Sequence, residues 1–174
     1  MSFERIASRT AWEGKLATVR VDRFRFEDGE EADREIVEHP GAVGVVAHDG
    51  ERLFLVRQPR EAVDEPALLE LPAGKLDEEG EDPLDTAKRE LAEEIGKGAR
   101  TWRRLTSFYT SPGFADEECH LYLATDLYDE GADAGEEERI ELVEVPLAEL
   151  DRVIRECRDA KTLVGLLWFK AFGD

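Results

Sequence analysis

Apolar and polar residues alternate with a period of two from Lys15 to Phe26 and again from Arg34 to Glu38, on either side of an Asp28-Gly29 turn signal. That pattern predicts an antiparallel hairpin. After the break at His39-Pro40-Gly41, Ala42 to Ala47 is almost entirely small or β-branched, as a buried strand is. His48-Asp49-Gly50-Glu51 then turns the chain into a second hairpin strand, Leu53 to Gln58, and Ala67 to Leu71 forms a short apolar strand that ends at Pro72-Ala73-Gly74. Further strands are predicted at Arg104 to Tyr109, His120 to Thr125 and Ile140 to Val145, and two terminal helices at Leu147 to Cys157 and Ala160 to Phe169, the second N-capped by Asp159.

Between the two groups of strands the period changes to that of a helix. Asp82 is an N-cap, Pro83 suits the first helical position, Leu84, Ala87, Leu91 and Ile95 form the apolar stripe, and Gly96 is the stop. The predicted class is α+β, with helices set around a mixed sheet. Residues 41–174 form its main domain, and residues 1–40 form a small antiparallel β extension. The chain has 174 residues, enough for one compact domain with a real core, and shows neither an internal repeat nor a low-complexity linker.

Charge narrows the function classes. Asp and Glu number 42 against 23 Lys and Arg, a formal net charge of -19, so the surface should repel nucleic acid and anionic membranes. No apolar run approaches a membrane span and no leader pattern is present, so a cytoplasmic protein is expected. Arg outnumbers Lys by 17 to 6, which with the acidity points to a high-salt, halophilic cytoplasm; an ordinary acidic protein with charged loops is the alternative. Cys119 and Cys157 lack metal-ligand spacing and read as two thiols, and His39, His48 and His120 do not cluster.

The chemistry concentrates on the central helix. Glu90, Glu93 and Glu94 gather like charges on adjacent turns, where helical neighbours repel by a few tenths of a kcal/mol per pair, roughly 0.2–0.5. At about 100° per residue Glu90 and Glu94 lie nearly on one line beside the apolar stripe, with Glu93 farther round. Arg89 projects away from Glu90 but within reach of Glu93. Oxygen ligands of this kind suit Mg²⁺ or Mn²⁺.

Gly74, Glu81, Arg89, Glu90, Leu91, Glu93, Glu94 and Gly96 together resemble the Nudix box, G-x5-E-x7-R-E-U-x-E-E-x-G-U, where U is a bulky aliphatic residue. Two departures stand out: the loop before Glu81 holds one extra residue, and Lys97 takes the last aliphatic position. Even in a chain with 27 Glu, such a set arises by accident only about once in 10⁴ to 10⁵ chains. Arg34 to Val43, Leu55 to Gln58, Leu69 to Asp77, Tyr109 to Phe114 and Asp159 to Leu163 extend the likeness to the ADP-ribose pyrophosphatase branch. Pro112 falls 16 residues beyond Gly96, where that branch carries a proline, whereas Pro59 departs from its usual aromatic residue.

The resemblance implies a Nudix fold, an α/β/α sandwich around a mixed sheet, and hydrolysis of a nucleoside diphosphate sugar. ADP-ribose, giving AMP and ribose 5-phosphate, is the leading substrate, with GDP-mannose or another sugar nucleotide as alternatives. A non-catalytic Nudix sensor that binds such a nucleotide is the reading from another class. The implied ligands of Mg²⁺ or Mn²⁺ are Glu90 and Glu94 with the backbone carbonyl of Ala73, then Glu93. Arg89 either orients a carboxylate through a salt bridge, the favoured reading, or contacts phosphate. In the acidic segment from Gly131 to Glu138, alignment on Ile140 matches Glu138 with a metal-binding glutamate and Glu136 with the general base; a solvated acidic loop is the alternative. Arg57 and Arg60, with Arg34 from the β extension, are the arginines for the phosphates, unless they are merely exposed strand-end residues. Pro112, Gly113 and Phe114 form a loop of the sort that shapes a specificity pocket. The branch also implies a homodimer built through the N-terminal sheet.

Overall fold

Strands β1 (Phe3–Glu13), β2 (Thr18–Phe26) and β3 (Glu31–Glu38) form an antiparallel sheet in the order β1-β2-β3. The computed structural model describes residues 2–15, 17–78, 80–131 and 139–173. It divides into two compact units, Met1–Gly41 with Tyr109–Glu118, and Ala42–Phe108 with Cys119–Asp174. The first unit is held through β2, where Asp22 is 1% exposed and takes hydrogen bonds from Ser8 (2.5 Å), Arg20 (2.8 Å) and Arg5 (3.3 Å). A charge buried in so small a unit needs that many partners to offset its desolvation.

The hairpin around Asp28-Gly29 is therefore present, but β1 is a strand that the sequence pattern does not reveal. Its register against β2 shifts between Arg5 and Ala7 and between Thr10 and Trp12. Each shift breaks the period of two, and nearly all of the strand is exposed, so no apolar face marks it.

In the second unit the sheet order is β10-β5-β4-β9-β8, with β6 beside β5 and β7 beside β4. The strands are β4 (Ala42–His48), β5 (Arg52–Arg60), β6 (Glu65–Glu70), β7 (Ala73–Lys75), β8 (Lys97–Tyr109), β9 (Glu118–Asp129) and β10 (Glu141–Pro146). The β4 and β9 strands run parallel, while β4 is antiparallel to β5 and to β7, which makes the sheet mixed as expected. Alternate residues of the central strands feed two cores. Val46, Leu53, Leu55 and Leu121 belong to one, with Val153 and Leu166; Val43, Val45, Phe54, Val56 and Tyr122 belong to the other, with Ala87, Leu91 and Ile95. Helices thus cover both faces: α1 (Pro83–Ile95) one of them, α2 (Leu150–Glu156) and α3 (Ala160–Phe172) the other.

Local chemistry explains the helix ends. Asp82 accepts from Leu84 N at 2.8 Å, and Gly96 closes α1 in the left-handed region at φ 65. Asp159 caps α3 through Thr162 N at 2.9 Å, and the Thr162 hydroxyl accepts from Leu71 N at 2.8 Å, tying the helix to the end of β6. Gly165 permits the close approach, since a Cβ there would stand 2.7 Å from Leu71 Cδ1. The segment before α2 is a 3₁₀ turn, Leu147–Glu149, rather than α-helix, and β8 starts directly after Gly96 instead of at Arg104. Among the described residues no helix is long and apolar enough to cross a membrane.

Candidate active site

The site is built where α1 crosses the short strand β7. Ala73 and Gly74 pair with Gly44 and Val43 of β4, and Pro72 O accepts from Val45 N at 2.9 Å, so this tripeptide is fixed on the central strand. Glu94 receives a hydrogen bond from Ala73 N at 2.9 Å. One turn earlier Glu90 lies directly over Gly74: a Cβ on that residue would be 2.0 Å from Glu90 Cδ and 2.1 Å from its Oε1. The glycine is required by this close approach, because only a residue without a side chain leaves the space that the carboxylate fills. The two carboxylates that share a line on α1 therefore meet adjacent residues of β7.

Arg89 organises the rest. Its Nη1 donates to Glu90 Oε1 at 2.8 Å and to Glu93 Oε2 at 3.1 Å, and its Nη2 to Glu81 Oε2 at 3.4 Å. The helical wheel directs Arg89 away from Glu90, but the long side chain folds back over the turn and bonds it. Glu81 is held in turn by the hydroxyl of buried Thr86, at 2.8 Å. Burial acts to lower the Arg89 pKa, and the Glu90, Glu81 and Glu93 carboxylates outweigh it, so the group is raised and stays charged. The Arg89 side chain thus forms the carboxylate salt bridge favoured from the sequence.

Four carboxylates bear on a single guanidinium, Glu81, Glu90 and Glu93 closely and Asp77 at 4.0 Å, with Glu94 one turn beyond, so negative charge exceeds positive charge here. Every donor is a hard oxygen, with no thiol or imidazole among them, which fits a hard divalent cation. Among the described residues no three Asp, Glu, His or Cys side chains are already grouped to hold a metal ion, since Glu81, Glu90 and Glu93 converge on Arg89.

On β5, the Arg57 side chain is exposed and makes no hydrogen bond or ion pair among the described residues. Arg60 forms a two-pronged ion pair with Glu70, Nε to Oε1 at 2.6 Å and Nη2 to Oε2 at 2.8 Å. Lys161 also bonds Glu70 Oε2 and pairs with Asp159 at 3.1 Å. Glu70 is fully buried, and burial acts to raise its pKa; the Arg60 and Lys161 bonds outweigh that and hold it below the usual carboxylate range. The Arg60 guanidinium is raised, chiefly by Glu70, with lesser contributions from Asp159 and Glu94. Sequence reasoning assigned no role to Glu70, Lys161 or Thr86. The available signal was an acid in the apolar run Leu68-Leu69-Glu70-Leu71, because a charge buried in a strand requires partners.

In the first unit, Arg34, Pro112, Gly113 and Phe114 line one cavity of about 420 Å³ together with Phe3 and Phe24. The loop is closed by Phe114 N on Ser111 O at 3.0 Å, and Phe114 O accepts from Val37 N at 2.8 Å. Phe114 is exposed rather than core. Glu136 and Glu138 lie outside the described residues, and β10 begins at Glu141, just after Ile140.

Comparison with known proteins agrees with this geometry. Residues 38–163 match the NUDIX domain. The chain is similar to an ADP-ribose pyrophosphatase of Bacillus subtilis (41% identical, covering 95% of this chain and 91% of the relative). It is equally similar to a methanol dehydrogenase activator of Bacillus methanolicus (41%, with the same coverage) and to an ADP-ribose pyrophosphatase of Mycobacterium tuberculosis (42%, covering 86% and 73%). A crystal structure of an ADP compounds hydrolase has the same fold, with a TM-score of 0.86 at 24% identity over 99% of this chain and 94% of that one. A domain match over most of the chain, carried on a helix that sets Glu90 and Glu94 against Gly74 and Ala73, places this protein in the Nudix family.

Proposed function

We propose that the protein hydrolyses the pyrophosphate of ADP-ribose, giving AMP and ribose 5-phosphate. The observation that carries this reading is the seating of Glu90 and Glu94 on the Ala73-Gly74 step, in a chain 41–42% identical to ADP-ribose pyrophosphatases. Glu90, Glu94 and the Ala73 carbonyl hold Mg²⁺, which Mn²⁺ can replace, with Glu93 supporting them. When bound, the cation neutralises phosphate charge and lowers the pKa of the attacking water. Arg89 holds Glu81, Glu90 and Glu93 in register. Arg60, with Arg57 and Arg34, pairs with phosphate oxygens, Glu136 takes the proton from water, and Glu138 joins the cation's ligands. Pro112, Gly113 and Phe114 shape the substrate pocket. AMP release from ADP-ribose, assayed beside GDP-mannose, tests the reading. Binding of ADP-ribose with no hydrolysis of any sugar nucleotide favours a sensor instead.

Residues 1–40 act as a dimerisation element. Phe3, Trp12 and Phe114 of the first unit are 67%, 57% and 58% exposed, large apolar side chains that a second copy would cover. Light scattering on the eluting protein is expected to give twice the chain mass; a monomer at micromolar concentration contradicts this.

The charge of -19 adapts the protein to high salt. Screening contracts from about 10 Å at 0.1 M to about 3 Å at 1 M, which removes most of the self-repulsion. The thermal midpoint is therefore expected to rise steeply with KCl up to molar concentrations. A midpoint that does not change with KCl rules the adaptation out.

A further inference from the structure

The β5–β6 ladder pairs Arg60 with Glu65 and Glu70 with Val56, and the Arg60 side chain reaches along it to meet Glu70. The contact uses the Nε and Nη2 donors of Arg60 and both oxygens of Glu70, so it fixes the plane of the guanidinium as well as its position. Glu70 is 0% exposed, while Arg60 is 42% exposed, so the pair has a buried end and an open end. Nη1 forms no hydrogen bond among the described residues. Lys161 closes the other side of the same carboxylate, and Thr162, next along α3, holds Leu71 N at 2.8 Å. Glu70 also stands three residues before Ala73, whose N–H bonds Glu94, so one short segment carries both the anchor of Arg60 and the contact of a proposed metal ligand. A surface ion pair needs none of this construction. An arginine that must present a particular donor does, because a free side chain of its length samples many rotamers.

We propose that Glu70 is a positioning residue for the reaction: it grips Arg60 by one edge, with Lys161 locking the carboxylate, so that Nη1 is the donor offered to a phosphate of the substrate beside Glu94. The proposal rests on the pyrophosphohydrolase reading above. It assigns to Glu70 and Lys161 no contact with substrate, and it makes the orientation of Arg60, rather than its charge, the quantity that the protein controls.

A double-mutant cycle on ADP-ribose hydrolysis tests it, with Arg60→Ala, Glu70→Gln and the double variant, and with thermal midpoints measured alongside. Arg60→Ala should lower kcat/KM by about 100-fold, mainly through KM, as loss of a phosphate anchor does. Glu70→Gln keeps the shape but loses the charged fork and should cost about 10- to 30-fold, also in KM. The double variant should fall within about threefold of Arg60→Ala, because Glu70 acts only through Arg60. Losses that multiply in the double variant, or a Glu70→Gln loss confined to stability, overturn the role. Arg60→Lys supplies an arm that leaves Glu70 untouched should Glu70→Gln fail to fold. Lysine keeps the charge without the fork, so it should fall close to Arg60→Ala, and near wild-type KM in Arg60→Lys overturns the role equally. The wild type separates this inference from the reading beneath it: absence of turnover overturns the proposed function itself, whereas turnover with multiplicative losses overturns only the part given to Glu70.

Discussion

Gly74→Ala is expected to lower kcat by about 10²- to 10³-fold while leaving the protein folded, with a thermal midpoint equal to or slightly above that of the wild type. A methyl group on Gly74 would lie 2.0 Å from Glu90 Cδ, so the Glu90 carboxylate must move off β7. Its movement also breaks the 2.8 Å contact with Arg89. The three atoms nearest the added Cβ all belong to the Glu90 side chain, which can swing aside. Gly74 has no positive φ, so its backbone suits any L residue, and alanine in place of glycine in a strand lowers the entropy of the unfolded chain, a gain of roughly 0.5–1 kcal/mol. Activity and stability should thus part company. Circular dichroism melting with steady-state kinetics reads both, and wild-type kcat in a well-folded Gly74→Ala protein would show that the seat of Glu90 has no part in the chemistry.

The second large effect is expected at Glu94. Glu94→Gln retains an oxygen able to accept from Ala73 N, so the 2.9 Å contact and the fold survive. What is lost is one negative charge at the proposed cation site, and kcat should fall by about 10³-fold or more, as when a principal electrostatic group is removed. Glu93 offers the contrast. It is 47% exposed and faces Arg89, so Glu93→Gln should cost only about tenfold, through a looser Arg89. The ranking Glu94 above Glu93 is the discriminating result, measured as kcat at saturating Mg²⁺. Equal losses would mean that the carboxylates act as a diffuse negative field instead of distinct ligands.

What could be read from the sequence was what depends on near neighbours. The caps and stripe of α1 are all local, and Asp82, Pro83, Leu91, Ile95 and Gly96 stand in the structure as their spacing requires. The strands of the second unit follow from runs such as Ala42 to Ala47, whose alternate residues feed both cores. β1 was hidden because two register shifts and an exposed surface remove the periodic signal. β7 is three residues long and carries no signal of its own; it exists because β4 offers it an edge at Val43 and Gly44. In the site, the box residues were legible by spacing, but the fold-back of Arg89 onto Glu90 was not, since a helical wheel gives directions and ignores side-chain length. Glu70 stood out as an acid in an apolar run, but its partner Lys161 was out of reach, because it lies 91 residues away and only the folded chain brings α3 to β6.

The central claim is that the carboxylates of α1 act with a divalent cation to break a pyrophosphate. AMP formation from ADP-ribose by the wild type and by Glu94→Gln, each with Mg²⁺ and with the cation chelated, tests it most directly. Rapid AMP release by the wild type that stops on chelation, returns when Mg²⁺ is restored, and is almost absent from Glu94→Gln is the result predicted. AMP release that persists under chelation, or that survives in Glu94→Gln at the wild-type rate, would contradict it.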